Sequence, residues 1–270
     1  MKKIQKKIGF LGCGNMGTAI LDGIVSKKLC THRSIAVYDS DPKKARMIKK
    51  VYGITSVMSE DELIAKSDII VLAVKPQTLS KLSRSVTKKK LKNKVIVSIL
   101  AGTPSRKIKK AFATKNVIRI MPNLGAMFGV GISAIAPSKT VTKSTFITVV
   151  RLFSACGEVV ILSERHMDAV TAISGSGPAY YFYLSELLID AAIRNGIPKK
   201  AAYTLVTKTA HAASLMMDKS ALSPKELRKM VASKGGTTEA ALAMFTLMNL
   251  GTTIGRGVKA AITRSKQISR

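Results

Sequence analysis

The chain of 270 residues carries 45 Lys and Arg against 15 Asp and Glu, a formal net charge of +30, and only three cysteines. This length is enough for two modest domains with buried cores. The three cysteines lie far apart and form no CxxC pair, so the sequence predicts neither a disulfide framework nor a metal site. Free cysteines are typical of a reducing compartment, and we therefore expect the protein in the cytoplasm. Because no uncharged apolar run reaches the roughly 18 residues that a membrane-spanning helix needs, we expect no membrane partner.

The basic charge has two interpretations, a solvated basic surface or a nucleic-acid site. Such a charge attracts phosphates and anionic polymers. However, the basic residues fall in short groups along the whole chain, aromatic residues make up only 5% and Trp is absent. A groove with interleaved base-stacking rings is therefore not indicated. We expect no specific nucleic-acid partner, although small anionic substrates would be favoured.

Short β-branched segments alternate with helical patterns from residue 7 to about residue 162, which is typical of a parallel sheet with crossover helices. The predicted strands are residues 7–11, 34–39, 68–74, 95–100, 117–121, 132–136 and 158–162. The clearest helical spacing between them lies in residues 16–28, 42–52 and 104–113.

Strand patterns stop after Ser163, and Ala, Leu, Met and Tyr then dominate long amphipathic segments. The predicted helices are residues 178–195, 199–217, 224–231, 238–249 and 251–266. The segment 178–195 has apolar residues on nearly every face, so one copy of this half cannot cover it alone and we expect a homodimer. The predicted domains are therefore residues 1–163, an α/β domain with a parallel sheet, and residues 164–270, an all-helical dimerisation domain.

A GxGxxG sequence follows the first predicted strand and precedes a helical pattern, which is the context of a Rossmann dinucleotide-binding fingerprint. Gly12 makes the tight turn, Gly14 allows close approach of a pyrophosphate, and Gly17 allows the helix and strand to pack. Asp39 ends the second predicted strand, where a carboxylate can accept hydrogen bonds from the adenosine ribose. The cofactor residues expected here are Gly12, Gly14, Asn15, Met16, Gly17, Asp39 and Ser40.

Three further loops follow strands of the same sheet and are predicted to line the same crevice, because ligands of such sheets lie outside the carboxyl ends of the strands. A simple strand end is the alternative for each. The residues concerned are Val74, Lys75 and Pro76, then Ala101 and Gly102, then Met121 and Asn123.

A segment of small residues from Ser174 to Gly177 precedes Pro178 and should end any helix. Close approach of the backbone to a ligand or a neighbouring helix would explain it. Ser176 could equally be the N-cap of the next helix.

A second glycine-rich segment, Gly235-Gly236-Thr237-Thr238, precedes another predicted helix. Two interpretations stay open. It is either an interhelical connection with a threonine N-cap, or a nest of backbone N–H groups that binds a small carboxylate.

Taken together, these motifs resemble the pyrroline-5-carboxylate reductase family over residues 7 to about 266. The shared motifs are GCGNMG at 12–17, AVKPQ at 73–77, RIMPN at 119–123, AISGSGPAY at 172–180 and SKGGTT at 233–238. The resemblance implies a Rossmann domain, an interlocked helical dimer and a ring of dimers. It also implies reduction of 1-pyrroline-5-carboxylate to L-proline with hydride from NADPH or NADH.

The resemblance also implies roles for the second half of the chain. Backbone N–H groups of Gly235, Gly236 and Thr237 would hold the substrate carboxylate, and the hydroxyl of Thr238 would bond the ring nitrogen. Ser174, Ser176 and Gly177 would lie on the substrate side of the cleft.

The resemblance leaves the choice of cofactor open. Members that prefer NADPH often have Asn-Arg after the second strand, whereas this chain has Asp39-Ser40. Asp39 favours NADH, while Lys43, Lys44 and Arg46 attract a phosphate. Because Asp39 is fixed at the strand end and the lysines are mobile and solvated, we expect appreciable use of NADH. Two other classes remain as alternatives, a β-hydroxyacid dehydrogenase and a non-catalytic dinucleotide sensor or nucleic-acid-binding module. The second half lacks the catalytic Lys and Asn arrangement of the dehydrogenase, and turnover with the imine separates the enzyme from a sensor.

Overall fold

The computed structural model describes residues 3–268, and eight strands form one sheet. The strands are β1 (Ile8–Leu11), β2 (Ile35–Tyr38), β3 (Thr55–Ser56), β4 (Ile69–Leu72), β5 (Val95–Ser98), β6 (Val117–Pro122), β7 (Gly131–Pro137) and β8 (Gly157–Ile161). Their order in the sheet is β3-β2-β1-β4-β5-β6-β7-β8. The order reverses between β1 and β4, which makes that position the topological switch point of a Rossmann fold.

Helices connect these strands and fill the rest of the chain. Those between strands are α1 (Asn15–Ser26), α2 (Pro42–Tyr52), α3 (Glu60–Ala65), α4 (Leu79–Ser85), α5 (Ser105–Phe112) and α6 (Lys143–Phe153). Those after the sheet are α7 (Met167–Val170), α8 (Gly177–Arg194), α9 (Lys199–Lys219), α10 (Pro224–Val231), α11 (Thr237–Leu247) and α12 (Leu250–Ile268). No helix within residues 3–268 is long and apolar enough to cross a membrane.

The sheet is apolar on both faces because helices cover both. All four residues of β1, β4 and β5 are buried. On one face Phe10 and Val71 pack with Ile20 of α1, and on the other face Leu72 packs with Ile108 of α5. Continuous apolar strands are expected in a parallel sheet that is covered in this way.

Two features of the sheet differ from the sequence-based expectation. The two-residue strand β3 was not predicted, because such a short segment carries no alternating pattern. In addition, β7 runs antiparallel to β6, whereas the other neighbouring pairs are parallel. Only a short 3₁₀ turn, Leu124–Phe128, separates β6 from β7. A parallel crossover needs a dozen or more residues, so a connection of this length reverses the chain.

The glycine-rich segment before Pro178 does not end the helix, so that expectation was wrong. After α7 the backbone continues through a π-helical turn, Thr171–Gly175, and enters α8 at Gly177. The amide of Ser176 donates to the carbonyl of Thr171 at 2.8 Å, and Ser176 is right-handed helical rather than an extended N-cap. Pro178 is tolerated because the first turn of a helix needs no N–H donor.

The chain forms two compact units. The Rossmann unit comprises the residues up to Ser176 together with those from Ala261 onward, and the helical unit is Gly177–Ala260. Residues 164–176, assigned to the helical domain from the sequence, and the last turns of α12 therefore pack with the Rossmann unit.

Candidate active site

The glycine-rich loop after β1 has a separate structural reason for each glycine. Gly12 has a φ of +103°, and a Cβ there would lie 2.7 Å from the carbonyl oxygen of Ala73. A Cβ on Gly17 would lie 2.9 Å from the Cβ of Ala73. Gly14, the N-cap of α1, has nothing within 4 Å of its Cβ position. Gly12 and Gly17 are thus required by packing, whereas Gly14 keeps open space in front of a helix N-terminus.

A pocket of about 320 Å³ lies beside this loop, at the carboxyl ends of β1, β2 and β4. Its lining includes six residues predicted from the sequence: Gly12, Gly14, Asp39, Ser40, Val74 and Lys75. The other predicted cofactor residues do not line it: Asn15, Met16, Gly17, Pro76, Ala101, Gly102, Met121 and Asn123. Ala73, the first residue of the AVKPQ motif, also lines it, whereas the sequence did not indicate several other lining residues: Leu11, Tyr38, Glu60, Thr78, Lys81, Leu82 and Ser85.

Asp39 is held by two backbone amides. Its Oδ2 accepts from the N–H of Cys13 at 2.7 Å, and its Oδ1 accepts from the N–H of Asp41 at 2.8 Å. Cys13 lies inside the glycine-rich loop, so the carboxylate joins the end of β2 to that loop. Burial is the main reason that the pKa of the Cys13 thiol rises to about 12, and the charge of Asp39 adds to it. Cys13 therefore stays a neutral thiol.

The loops after β5 and β6 are fixed by other parts of the Rossmann unit. A Cβ on Gly102 would lie 3.0 Å from the Cγ2 of Ile268, so α12 packs directly on this left-handed residue. The Oδ1 of Asn123 accepts from the N–H of Ile132 at 3.2 Å. The Cε of Met121 lies against Gly175 in the π-helical turn. The structure thus brings Met121 of β6 next to the segment that holds Ser174.

A charge cluster lies behind β6. Arg119 is 5% exposed, and its guanidinium lies 3.6 Å from Glu164 and 3.8 Å from Asp168. Glu164 accepts from the N–H of Ser105 at 2.6 Å, and Asp168 accepts from the hydroxyl of Ser265 at 2.7 Å. Burial lowers the pKa of Arg119, and the two carboxylates partly offset this effect. The cluster therefore joins β6 to the first turn of α5 and the last turns of α12.

The hydroxyl of Ser174 is buried and finds no hydrogen-bond partner within residues 3–268. A π-helical turn frequently marks a functional site, since it displaces side chains from their ordinary helical positions. A buried polar group without a partner needs an explanation such as a bound ligand or water. Ser174 is therefore a candidate ligand-binding residue.

The SKGGTT segment forms the entry to α11. Gly235 is left-handed with a φ of +72°, and its N–H donates to the Oε2 of Glu239 at 2.7 Å. Gly236 is the N-cap, so neither threonine caps the helix. The N–H groups of Thr237 and Thr238 belong to the first turn, where helix geometry supplies no internal acceptor. The carboxylate of Glu239 already accepts a hydrogen bond at this turn. This contact indicates that the turn can bind an anionic group.

The residues of the pocket fit a dinucleotide, because the open space at Gly14 and the N-terminus of α1 together suit a pyrophosphate. Asp39 at the end of β2 occupies the position that meets the adenosine ribose in such folds. The fold and this site define a Rossmann-type, nicotinamide-dependent oxidoreductase.

Comparison with known proteins identifies the family. The profile described as pyrroline-5-carboxylate reductase dimerisation matches residues 164–268, and a profile described as NADP oxidoreductase, coenzyme F420-dependent, matches residues 7–102. The chain is 34% identical to a pyrroline-5-carboxylate reductase from Methanosarcina acetivorans, with 98% of this chain and 99% of the relative covered. It is 31% identical to the reductase from Escherichia coli, with 99% and 100% covered.

A solved structure agrees with these relatives. The pyrroline carboxylate reductase of Plasmodium falciparum, determined with NADP bound, has a TM-score of 0.88 and 30% identity, and both chains are fully covered. The chain belongs to the pyrroline-5-carboxylate reductase family.

Proposed function

We propose that this chain reduces 1-pyrroline-5-carboxylate to L-proline with NADPH or NADH, using the residues described below. When bound, the cofactor supplies the hydride that reduces C5 of the protonated cyclic imine. The observation that carries the proposal is that one chain contains both a dinucleotide loop kept open at Gly14 and an amide-rich turn at residues 235–238. The first binds the phosphates, and the second binds a small carboxylate.

The Rossmann unit binds and orients the cofactor. Gly12 and Gly17 let β1 and α1 pack closely, and the N-terminus of α1 faces the pyrophosphate across the open Gly14. In this proposal Val74, Ala101 and Asn123, which follow β4, β5 and β6, border the cofactor at the carboxyl edge of the sheet. An imine that is already protonated needs positioning more than proton transfer, so firm orientation of the cofactor supplies much of the catalysis.

The helical unit binds the substrate carboxylate through the first turn of α11. The N–H groups of Thr237 and Thr238 are available at this turn, whereas the N–H of Gly235 is bonded to Glu239 and that of Gly236 to the carbonyl of Ser233. A substrate that uses the Gly235 amide must therefore displace the Glu239 carboxylate.

Thr238 bonds the ring nitrogen of the substrate in this proposal. Its side chain is half-buried, and the described part of the chain offers its hydroxyl no hydrogen-bond partner. By contrast, the hydroxyl of Thr246, in the same helix, donates to the carbonyl of Leu242 at 2.8 Å. Ser174, whose buried hydroxyl also lacks a partner, and its neighbours Ser176 and Gly177 are further substrate-binding residues.

We also propose the functional boundary at residue 163, because the dimerisation profile begins at residue 164. Self-association through this region extends to a ring of dimers. We assign the reaction to the cytoplasm, which is supported by the three cysteines remaining free thiols.

The test is an assay of NADH and NADPH oxidation with 1-pyrroline-5-carboxylate, for the unmodified chain and for Thr238→Ala. A lost hydrogen bond to a polar substrate group costs about 0.5–3 kcal/mol, so we expect kcat/KM to fall between about twofold and a hundredfold. Cofactor affinity should stay the same. The matched control is Thr246→Ala, which removes the same atoms from a hydroxyl already bonded within the helix. Equal activity of the two variants would remove Thr238 from the site, and no turnover by the unmodified chain would refute the function.

A further inference from the structure

The pocket beside the end of β2 contains two carboxylates, and both are held in place. Asp39 is one, fixed by the N–H groups of Cys13 and Asp41. Glu60, the first residue of α3, is the other. The hydroxyl of Ser85 donates to its Oε1 at 3.2 Å, and both Glu60 and Ser85 line the pocket.

Tyr38 lines the same pocket, and both carboxylates contribute to the shift of its pKa. Burial is the main cause that raises the pKa of Tyr38. The charge of Glu60, a hydrogen bond to Glu60 and the charge of Asp39 raise it further. Two acidic groups from different elements therefore line one pocket, at the end of β2, where a Rossmann fold places the adenosine ribose.

Three lysines line the same pocket, and they oppose the carboxylates only weakly. Lys44, Lys75 and Lys81 are exposed, whereas Asp39 and Glu60 are half-buried. Exposed charges are screened by salt much more than partly buried ones. A lysine side chain is also flexible, while each carboxylate is already fixed by hydrogen bonds. The fixed negative charge therefore dominates at the ribose.

We propose that Asp39 and Glu60 together make this pocket selective for NADH over NADPH. This selectivity rests on the proposed function only in that the ligand is a nicotinamide dinucleotide. A free 2′-hydroxyl can donate to a fixed carboxylate, whereas a 2′-phosphate brings up to two negative charges to the same place and is repelled. Glu60 has no counterpart in the fingerprint, since a separate helix, α3, brings it to the pocket.

The experiment is a fluorescence titration of the full-length protein with NADH and with NADPH, which requires no turnover. We expect NADH to bind at least about tenfold more tightly, a difference of about 1.4 kcal/mol. The variants are Asp39→Asn and Glu60→Gln, singly and together, since each keeps the shape of the side chain and removes its charge. The preference should shift toward NADPH in each single variant and by about tenfold or more in the double variant.

The charge-matched control is Glu158→Gln, an exposed residue of the edge strand β8 that does not line the pocket. Its preference should equal that of the unmodified protein. A looser glycine-rich loop would weaken the binding of NADH and of NADPH alike, so this general loss of affinity cancels in the ratio of the two dissociation constants. Tighter or equal binding of NADPH by the unmodified protein, or an unchanged ratio in the double variant, would overturn the proposal. A preference for NADH without turnover of the imine would instead support it and refute the proposed function.

Discussion

The two compact units differ in how far their large apolar side chains are buried. In the Rossmann unit, Phe10, Phe112 and Phe153 are fully buried between the sheet and its helices. In the helical unit, Tyr181, Phe182 and Tyr183 are each more than 60% exposed. Within residues 177–260 the buried apolar side chains are those of Ala202 and Leu227 alone.

This difference indicates where each unit obtains its stability. The Rossmann unit has a large apolar core of its own, although it also exposes side chains such as Phe128 and Val130. The helical unit buries almost none of its large apolar side chains, and large exposed apolar patches mark an interaction surface. The helical unit lies within residues 164–268, the region that matches the dimerisation profile. Its stability is therefore tied to a second copy of the chain and depends on protein concentration.

The largest effect should come from breaking this dependence. Phe182→Asp places a charge where self-association would bury it, at a cost of several kcal/mol. We expect the dimer to dissociate and the helical unit to lose cooperative unfolding, measured by analytical ultracentrifugation and thermal melting. Met58→Asp is the control, because Met58 is 88% exposed on the Rossmann unit. Sedimentation of the Phe182 variant as a dimer would show that this surface is not the interface.

A second pair of substitutions sharpens the comparison inside the Rossmann unit. Gly14→Val meets open space, so it should leave the melting temperature unchanged while dinucleotide binding falls by at least about a hundredfold, or about 2.7 kcal/mol. In Gly12→Val the new side chain would clash with the backbone of Ala73, and the valine would have to adopt the positive φ of this position. We expect this variant also to destabilise the unit, by about 1–3 kcal/mol. Calorimetry and a cofactor titration measure both. Equal destabilisation by both variants would contradict the separate roles of the two glycines.

The glycine-rich loop could be predicted from the sequence because its determinants are local. A strand, three glycines and a helix follow one another along the chain, and each glycine has the expected environment. Asp39 was predicted to bond the adenosine ribose, but its bond to the Cys13 amide was not predicted, since the pattern does not say where a side chain points.

Other features could not be predicted because they depend on distant segments. Glu60 and Ser85 meet at the pocket only after α3 and α4 pack on the sheet. The π-helical turn at Ser174 was missed because Gly and Pro normally end a helix, and tertiary packing against Met121 overrides that preference. Gly102 was predicted to border the cofactor, but no local pattern indicates that Ile268 packs on it.

The charge cluster behind β6 allows a test of how firmly the Rossmann unit holds the end of α12. Arg119→Met leaves Glu164 and Asp168 without their cation, and we expect the free energy of unfolding to fall by about 2 kcal/mol in urea titrations. Lys66→Met is the control. It removes the exposed ion pair between Lys66 and Glu62, whose Nζ and Oε1 lie 2.8 Å apart. An exposed pair of this kind within a helix contributes about 0.3–0.5 kcal/mol. An equal loss in both variants would mean that burial adds nothing to the Arg119 cluster.

The smallest effect concerns the three thiols, all of which lie in the Rossmann unit. Burial raises the pKa of Cys13 to about 12 and those of Cys30 and Cys156 to about 11. Only the thiolate reacts, so a thiol reagent at pH 8 should label the native protein very slowly and all three cysteines after denaturation. Because the helical unit has none, Phe182→Asp should keep this protection. Rapid labelling of that variant would mean that the Rossmann unit is not stable by itself.

Hydride transfer to the cyclic imine is the central claim, and the fate of a deuterium label tests it most directly. The protein would be incubated with 1-pyrroline-5-carboxylate and NADH deuterated at the transferable position of C4, and the product analysed by mass spectrometry and NMR. We expect L-proline with one deuterium at C5. Proline without deuterium, or oxidation of NADH without proline, would contradict it.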